Sequence, residues 1–119
     1  MEIMTRLGDQ LARYLDLADD EVKLTAANMA NIDTPGYQAV GMNFTAEMKR
    51  AIADVNAGET PQPVQVETVG GLVARPDGND VSMDREGLNL AEAQLKYKTG
   101  IALLHLEYQK ILDAIHVDK

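Results

Sequence analysis

The sequence predicts a mainly α-helical protein in which two long amphipathic helices, one at each end of the chain, pair as a coiled-coil-like hairpin. A short helix and a Pro/Gly-rich loop or small hairpin are predicted between them. Apolar residues recur at helical spacing in both terminal regions, whereas three of the four prolines lie between residues 54 and 80. Aromatic residues make up only 4% of the chain, so its core has to be aliphatic. We expect one unit over residues 1–119, divided into an N-terminal helix (1–33), a turn with short helix and loop (34–80), and a C-terminal helix (81–119).

The N-terminal helix is predicted by a stripe of mainly apolar residues that lie three or four positions apart. The stripe consists of Ile3, Leu7, Leu11, Tyr14, Ala18, Val22, Thr25 and Met29. The adjacent acids Asp19–Glu21 mark a possible break, at which a second helix could begin with Asp19 as its N-cap. We favour one long helix. It should end near Asn31–Asp33, because Pro35 disfavours helical geometry at the residue before it.

The centre of the chain is predicted to hold one short helix and one irregular segment. Residues 44–55 carry apolar side chains at helical spacing, which indicates an amphipathic helix. Residues 64–69 alternate as a strand does, and Gly70–Gly71 could close a two-residue hairpin onto residues 72–74. A flexible loop is the preferred alternative, because an isolated hairpin is only marginally stable in water.

The C-terminal helix gives the clearest pattern in the sequence. Its seam repeats at alternating intervals of four and three, which is typical of a helix that packs along another helix. The seam residues are Leu90, Gln94, Tyr97, Ile101, Leu104, Tyr108, Ile111 and Ile115. Ser82 is a suitable N-cap, and Asp84 and Glu86 follow in the first turn, where the helix dipole favours acids. We expect the seam to bind the N-terminal stripe, within the chain or across chains, since the short centre cannot cover so long a helix.

The composition argues against several classes of function. The net charge is −8 and there is no basic patch, so neither nucleic acid nor direct lipid binding is expected. Cysteine is absent, which excludes disulfides, thiol nucleophiles and thiolate metal sites. No apolar stretch reaches the length of a membrane span. Residues 1–7 lack the basic and apolar regions of a cleavable signal peptide.

Candidate catalytic or metal-binding residues are few. His105 and His116 lie on one helix face, but neither has a carboxylate four residues away with which to hold a metal. Residues 77–80 resemble part of a calcium loop without the glycine and the final acid that such a loop needs, so a solvated turn is expected there. We therefore predict no enzyme activity, no metal and no cofactor.

Residues 28–37 form the most distinctive segment. Asn28 and Asn31 share one side of the last helical turn, where their amides can bond free carbonyls or a neighbour. Residues 34–36, Thr-Pro-Gly, suit a type II turn, because proline fixes φ and glycine accepts a positive φ. Tyr37 follows as an aromatic anchor. From the residues alone, the segment is either a generic helix-ending turn or a recognition element.

This segment, Asn-Met-Ala-Asn-Ile-Asp-Thr-Pro-Gly-Tyr, resembles the N-terminal signature of the flagellar rod and hook proteins. Further similarity lies at Asn43–Phe44, over residues 77–86 and at Leu95–Tyr97, so the resemblance spans about residues 11–115. It implies a structural subunit of the proximal rod of the bacterial flagellar basal body, part of the drive shaft that carries torque from motor to hook and filament. The alternatives are another axial rod protein, of the FlgC type, or an acidic coiled-coil adaptor or secretion chaperone.

The resemblance also implies partners, a location and two sets of contact residues. The partners are further copies within the rod, other rod proteins of the FlgC, FlgF and FlgG types, the adaptor FliE and the flagellar export gate. The location is the rod on the periplasmic side of the inner membrane, reached by type III export without a cleaved signal peptide. The turn motif, expected to fix how the N-terminal helix meets adjacent subunits, is Asn28, Asn31, Thr34, Pro35, Gly36 and Tyr37. The helix-seam packing residues are Leu90, Tyr97, Ile101, Leu104, Tyr108, Ile111 and Ile115.

Overall fold

The computed structural model describes residues 5–116 and shows an elongated molecule, 69 Å long and 26 × 19 Å across. Its elements are, in chain order, α1 (Arg6–Ala30), β1 (Val40–Gly41), α2 (Phe44–Ala57), β2 (Glu67–Thr68) and α3 (Met83–His116). The predicted fold class is confirmed, since the long helices α1 and α3 pack against each other with α2 and a two-strand ladder between them in sequence. Within the described residues, no helix is both long enough and apolar enough to cross a membrane.

Helix α1 is continuous and capped at both ends. Thr5 Oγ1 accepts a hydrogen bond at 2.9 Å from the backbone amide three residues further on, as an N-cap threonine does. The helix runs through Asp19–Glu21 without interruption, so the possible break is absent. It ends with Asn31 as its C-cap, as predicted. Ile3, the first residue of the predicted stripe, lies outside the described residues.

A cluster of side chains joins the three helices, and the predicted short helix is confirmed as α2. Asn43 caps α2 by accepting a hydrogen bond from the amide three residues on at 3.0 Å. The ring of Phe44 meets the ring of Tyr14 edge-on, with 5.5 Å between the centroids. Lys96 of α3 places Nζ 3.9 Å from the Phe44 centroid and 2.9 Å from Glu21 Oε1. The cluster therefore links α2 to both long helices.

The two short strands pair antiparallel, with Val40 opposite Thr68. The less favoured possibility, a hairpin between residues 64–69 and 72–74, does not form, because the strand pairs with the segment that precedes α2. That segment is held against α1 by side-chain hydrogen bonds, so it offers a fixed edge that an isolated hairpin lacks. Between residues 59 and 82 the chain forms no other strand and no helix, in line with the preferred loop alternative.

Helix α3 buries small and polar residues at intervals of seven. Its predicted N-cap is confirmed, since Ser82 Oγ accepts a hydrogen bond from the amide three residues on at 3.3 Å. Glu86, Ala93 and Gly100 are the buried residues of α3. A Cβ added at Gly100 would stand 2.7 Å from Leu15 Cδ2, so α1 and α3 approach too closely there for a further side chain. The large apolar residues of α3 consequently lie beside this line and not on it.

The buried apolar core is small and aliphatic. It consists of Leu17, Ala18, Ala39, Ala51, Val81 and Ala93. The largest fully buried side chains are instead polar, namely Glu86, Asn28 and Asn79. Because a buried polar group is costly unless it is hydrogen-bonded, the partners of these side chains are central to the structure.

Candidate functional site

The predicted turn forms at the end of α1. The Thr34 carbonyl accepts a hydrogen bond from the Tyr37 amide at 3.2 Å, and Gly36 has φ +75°. Both features fit the type II turn predicted for residues 34–36. An L-residue with a Cβ is strained at this φ, so the backbone itself favours glycine at this position.

Asn28 is buried, with 1% of its surface exposed, and its amide is bonded inside the chain. Nδ2 donates to the Val40 carbonyl at 2.8 Å, while Oδ1 accepts from the Val40 amide at 2.9 Å and from the Tyr37 hydroxyl at 3.1 Å. One side chain thus satisfies both backbone groups of Val40. This bonding holds the segment that leads into α2 against α1.

Asn31 bonds locally at the helix end. Its Nδ2 donates to the Ala27 carbonyl at 2.8 Å, and its Oδ1 accepts from the Thr34 hydroxyl at 3.0 Å. Asn31 therefore bonds a helix-end carbonyl, one of the two roles predicted for the asparagine pair, whereas Asn28 bonds the segment at β1. Both amides are engaged within the chain.

Asn79 is the main candidate residue that the sequence analysis missed. The stretch 77–80 is not the solvated turn that was expected, because it docks on the end of α1 and Asn79 is fully buried. Its Nδ2 donates to the carbonyls of Asn31 at 2.8 Å and Thr34 at 2.9 Å, and its Oδ1 accepts from the Val81 amide at 2.9 Å. The expectation failed because the carbonyls at the end of α1 need donors, and this distant amide supplies them.

Further hydrogen bonds surround Asn79. Asp80 Oδ1 accepts from the Ala39 amide at 2.6 Å, the Asp77 carbonyl accepts from the Gly36 amide at 2.8 Å, and Arg75 Nη2 donates to the Ile32 carbonyl. A Cβ at Gly78 would stand 3.3 Å from Gly36 Cα, so the two turns touch backbone to backbone. We call this set of hydrogen bonds between residues 28–40 and 75–81 the Asn28–Asn79 network. Its one signal in the sequence was the family resemblance over residues 77–86.

The predicted helix seam is partly packed and partly exposed. Leu90, Leu104 and Ile111 are half-buried. A larger group lies along one side of α3 and is 42–59% exposed, and we call this group the tyrosine face. It consists of the seam residues Tyr97, Ile101, Tyr108 and Ile115 together with Leu112.

A second apolar side of α3 was not predicted. Its leucines are 46–67% exposed, and we call them the leucine face: Leu88, Leu95, Leu103 and Leu106. Near the free ends of the two long helices, Leu103 and Leu106 border a groove of about 330 Å³ with Leu7 and Leu11 of α1. The leucine face was not predicted because only one apolar seam was considered for α3.

Acidic side chains of α1 gather around Asp20. Burial raises the pKa of the Asp20 carboxyl above its ordinary value of 3.8, Lys23 lowers it, and the carboxylates of Asp19 and Asp16 raise it further. Lys23 Nζ lies 3.0 Å from Asp19 Oδ2, and this hydrogen bond raises the pKa of the lysine. The Lys23–Asp19 pair is largely exposed, so it adds little to stability.

The described residues hold no cluster of side chains that could bind a metal ion: among residues 5–116, no group of three or more His, Asp or Glu side chains is placed to hold one. His105 and His116 are exposed on α3. Long helices, a small core and two exposed apolar helix sides are typical of a class of protein, the structural subunits of larger assemblies.

Comparison with known proteins identifies this class more closely. The flagellar basal body rod protein FlgB of Salmonella typhimurium is 32% identical over 119 aligned positions, which cover 85% of this chain and 86% of that protein. FlgB of Cereibacter sphaeroides is 33% identical over 127 positions, covering 94% and 98%. FlgB of Yersinia enterocolitica is 31% identical over 108 positions, covering 76% and 79%. No family model matches the chain.

The chain belongs to the family of the flagellar basal body rod protein FlgB. The resemblance to flagellar rod and hook proteins is thereby confirmed, and among rod proteins the relatives are of the FlgB type. As a member of this family, the chain is a structural subunit of the basal-body rod and not an enzyme.

Proposed function

We propose that the chain is a subunit of the proximal rod, carries torque from the motor towards the hook, and contacts its neighbours through the tyrosine face. The exposure of that face supports the proposal, since its five residues are 42–59% exposed along about five turns of α3. A contiguous apolar stripe of this kind is unfavourable in water and commonly marks an interaction surface. Burial against a neighbouring subunit would remove it from water.

The proposed neighbours are other rod proteins of the FlgC, FlgF and FlgG types, further copies of this chain, the adaptor FliE and the flagellar export gate at the base of the rod. Membership of a rod-protein family supports a place beside other rod proteins. The elongated shape, 69 Å along its longest axis, suits a subunit that touches several others along its length.

The turn motif acts in this proposal by fixing how α1 and α3 lie relative to each other. Asn28 and Asn31 bind within the chain, and Asn79 bonds the carbonyls at the end of α1. Holding residues 75–81 at that end sets the point from which α3 starts. The motif would thus fix the position of the tyrosine face against adjacent subunits without touching them.

A deletion strain complemented with variants tests the tyrosine face. Swimming and electron microscopy of basal bodies should show loss of rods in the deletion, rescue by the wild type, and failure of the double variant Tyr108→Ser, Ile115→Ser. Val73→Ser is the matched control, because Val73 is 91% exposed but lies in the loop, and it should rescue fully. Normal basal bodies in the deletion strain would contradict the rod role, whereas full rescue by the double variant would contradict only the tyrosine face.

The same strain tests the turn motif. Gly36→Val should fail to rescue, since a β-branched residue resists the positive φ at this position. Asn31→Ala should rescue partially, because it removes two local hydrogen bonds and leaves the turn. Intact rods and normal swimming with both variants would contradict the proposed role of the motif.

A further inference from the structure

Asp77 and Gly78 are the one place in the sequence where an aspartate precedes a glycine, and no asparagine precedes a glycine. In an Asp-Gly pair, the backbone nitrogen of the glycine can attack the side-chain carboxyl of the aspartate and close a five-membered ring. Glycine allows this most readily, because it has no Cβ to block the approach and its backbone dihedrals are the least restricted. The pair is therefore the position in this chain best suited to spontaneous isomerisation.

The isomerisation has two steps. In the first, the Gly78 nitrogen bonds to Cγ of Asp77, and the amide proton leaves with the carboxyl hydroxyl as water, which gives a succinimide. In the second, water opens the ring. Attack at Cγ restores aspartate, whereas attack at the original backbone carbonyl breaks its bond to the nitrogen and gives isoaspartate. One water leaves and one returns, so the mass of the chain is unchanged and no oxidant or cofactor is needed.

In the folded chain, hydrogen bonds hold each of the reacting groups. The Gly78 amide donates to the Arg75 carbonyl at 2.8 Å, a bond that ring closure would have to break. Asp77 Oδ1 accepts from the backbone amide of Asn79 at 3.0 Å and lies 4.0 Å from Arg75 Nε. The Asp77 carbonyl accepts from the Gly36 amide at 2.8 Å. The nitrogen, the carboxyl and the carbonyl are thus all fixed by neighbours.

Close backbone contact restricts the same pair further. Gly78 has φ +86°, and a Cβ added to it would stand 3.3 Å from Gly36 Cα. A succinimide draws the junction between residues 77 and 78 into a planar ring, and this contact leaves little room for the rotation that the ring needs. The side chain of Asp77 is 40% exposed, so water reaches it. Fixed geometry, and not the exclusion of water, is what opposes the reaction.

Isoaspartate at position 77 would be incompatible with the Asn28–Asn79 network. The main chain would run through Cγ, which adds a backbone atom before Gly78. The original carbonyl, which accepts from Gly36, would become a side-chain carboxylate. Asn79 would then be displaced from the carbonyls at the end of α1 that it bonds at 2.8 and 2.9 Å. A chain that isomerises before it folds would therefore lose the contact that holds the start of α3.

We propose that Asp77 is a site of spontaneous isomerisation to isoaspartate in the unfolded chain, and that the Asn28–Asn79 network suppresses this reaction in the folded chain. The rate then follows the fraction of time for which the network is open. This protection is additional to the role in the rod and needs no neighbouring subunit.

Incubation of the purified full-length chain at neutral pH, in native buffer and in urea, tests the proposal. Electron-transfer fragmentation of proteolytic peptides measures isoaspartate at position 77. Incubation in water enriched in ¹⁸O identifies the succinimide route, because opening of the ring adds one heavy oxygen. Asp77→Glu is the control for the chemistry, since its longer side chain would have to close a larger ring and cannot give isoaspartate.

The folded wild type should form isoaspartate at least about tenfold more slowly than the chain in urea. Asn79→Ala should react several-fold faster than wild type in native buffer and at the same rate in urea, whereas Asn56→Ala should match the wild type in both. Gly36→Ala strains the turn without removing a side-chain hydrogen bond, so it keeps the test valid if Asn79→Ala does not fold. It should give a smaller rise in native buffer, and Gly70→Ala, its control, should give none.

Three results would overturn the proposal. Equal or faster isomerisation of the wild type in native buffer would show that the fold gives no protection. No isoaspartate at position 77 in urea would show that this is not a site of isomerisation. Wild-type rates in native buffer for both Asn79→Ala and Gly36→Ala would show that the network is not what protects it. None of these results bears on the rod role, which the complementation experiment tests separately.

Discussion

The two ends of this molecule are held together by different means. At one end, the Asn28–Asn79 network joins residues 28–40 to residues 75–81 through fully buried amides. At the other, Thr5 Oγ1 donates to Glu107 Oε1 at 2.6 Å, while apolar side chains around it stay half exposed. At the first end, the buried amides of Asn28 and Asn79 find their partners within the chain, although one carboxylate oxygen of the buried Glu86 does not. At the second end, Leu7, Leu103 and Leu106 are 46–57% exposed, so burying them against a neighbour would be favourable.

Removing Asn79 should have the largest effect on the folded chain. Asn79→Ala leaves the carbonyls of Asn31 and Thr34 and the amide of Val81 without their partner, which should cost about 3 kcal/mol of unfolding free energy. Urea denaturation followed by circular dichroism measures the loss. Asn56→Ala is the control, since Asn56 is exposed, and equal midpoints for the two variants would show that the network does not stabilise this end.

A bulky residue in the closest contact of α1 and α3 should have the next largest effect. Gly100→Leu pushes a side chain against Leu15 and Tyr14, and we expect a loss of about 2 kcal/mol. Gly87→Leu is the matched control in the same helix, because nothing lies within 4 Å of a Cβ there, and it should gain up to about 1 kcal/mol from helix propensity. Thermal unfolding of both variants gives the comparison. A stabilised Gly100→Leu would mean that the helices separate without cost.

The turn should respond more weakly than the network that surrounds it. Gly36→Ala places a Cβ at φ +75° with nothing within 4 Å, so only backbone strain of about 1 kcal/mol is expected. Gly70→Ala provides a control at a glycine without positive φ and with equal open space, and it should change stability little. If both substitutions have the same effect, the left-handed conformation at Gly36 is not a requirement.

Ionisation of Asp20 should give the smallest effect. Because burial raises its pKa in the folded chain above 3.8, the folded state binds the proton more tightly, and stability falls as the pH rises through this range. Asp20→Asn should therefore be more stable than wild type near neutral pH by less than about 0.5 kcal/mol, with no such gain below pH 3.8. Denaturation curves of both proteins at several pH values test this. A gain that grows as the pH falls would have the wrong sign.

Helical periodicity was enough to predict α1, α2 and α3, and local chemistry was enough to predict where α1 ends and where α3 begins. Pro35 and Gly36 end α1 through constraints that act within a few residues, and Ser82 caps α3 for the same kind of reason. These are short-range effects, so a single sequence reveals them. Which side of each long helix faces the other was harder to predict.

The seam pattern predicted that the largest apolar residues of α3 pack against α1. The residues of α3 that are buried instead include Ala93 and Gly100. Small residues permit close approach of two helices, but they leave no hydrophobic signal in the sequence. Asn79 was missed for a related reason. A polar residue beside glycine and aspartate reads as solvated unless the docking of its segment on α1 is known, and that docking joins residues 48 positions apart.

The same separation bears on the order in which the protein folds. A contact across 48 positions closes a long loop, and loop closure must occur before the hydrogen bonds that reward it. Helix α1 can form locally as soon as its residues are free, but the carbonyls at its end receive no amide from Asn79 until about two-thirds of the chain is available. A chain that becomes available from its N-terminus onwards therefore lacks the Asn79 contacts for most of that time. Its two long helices are fixed relative to each other only late, when α3 starts to form.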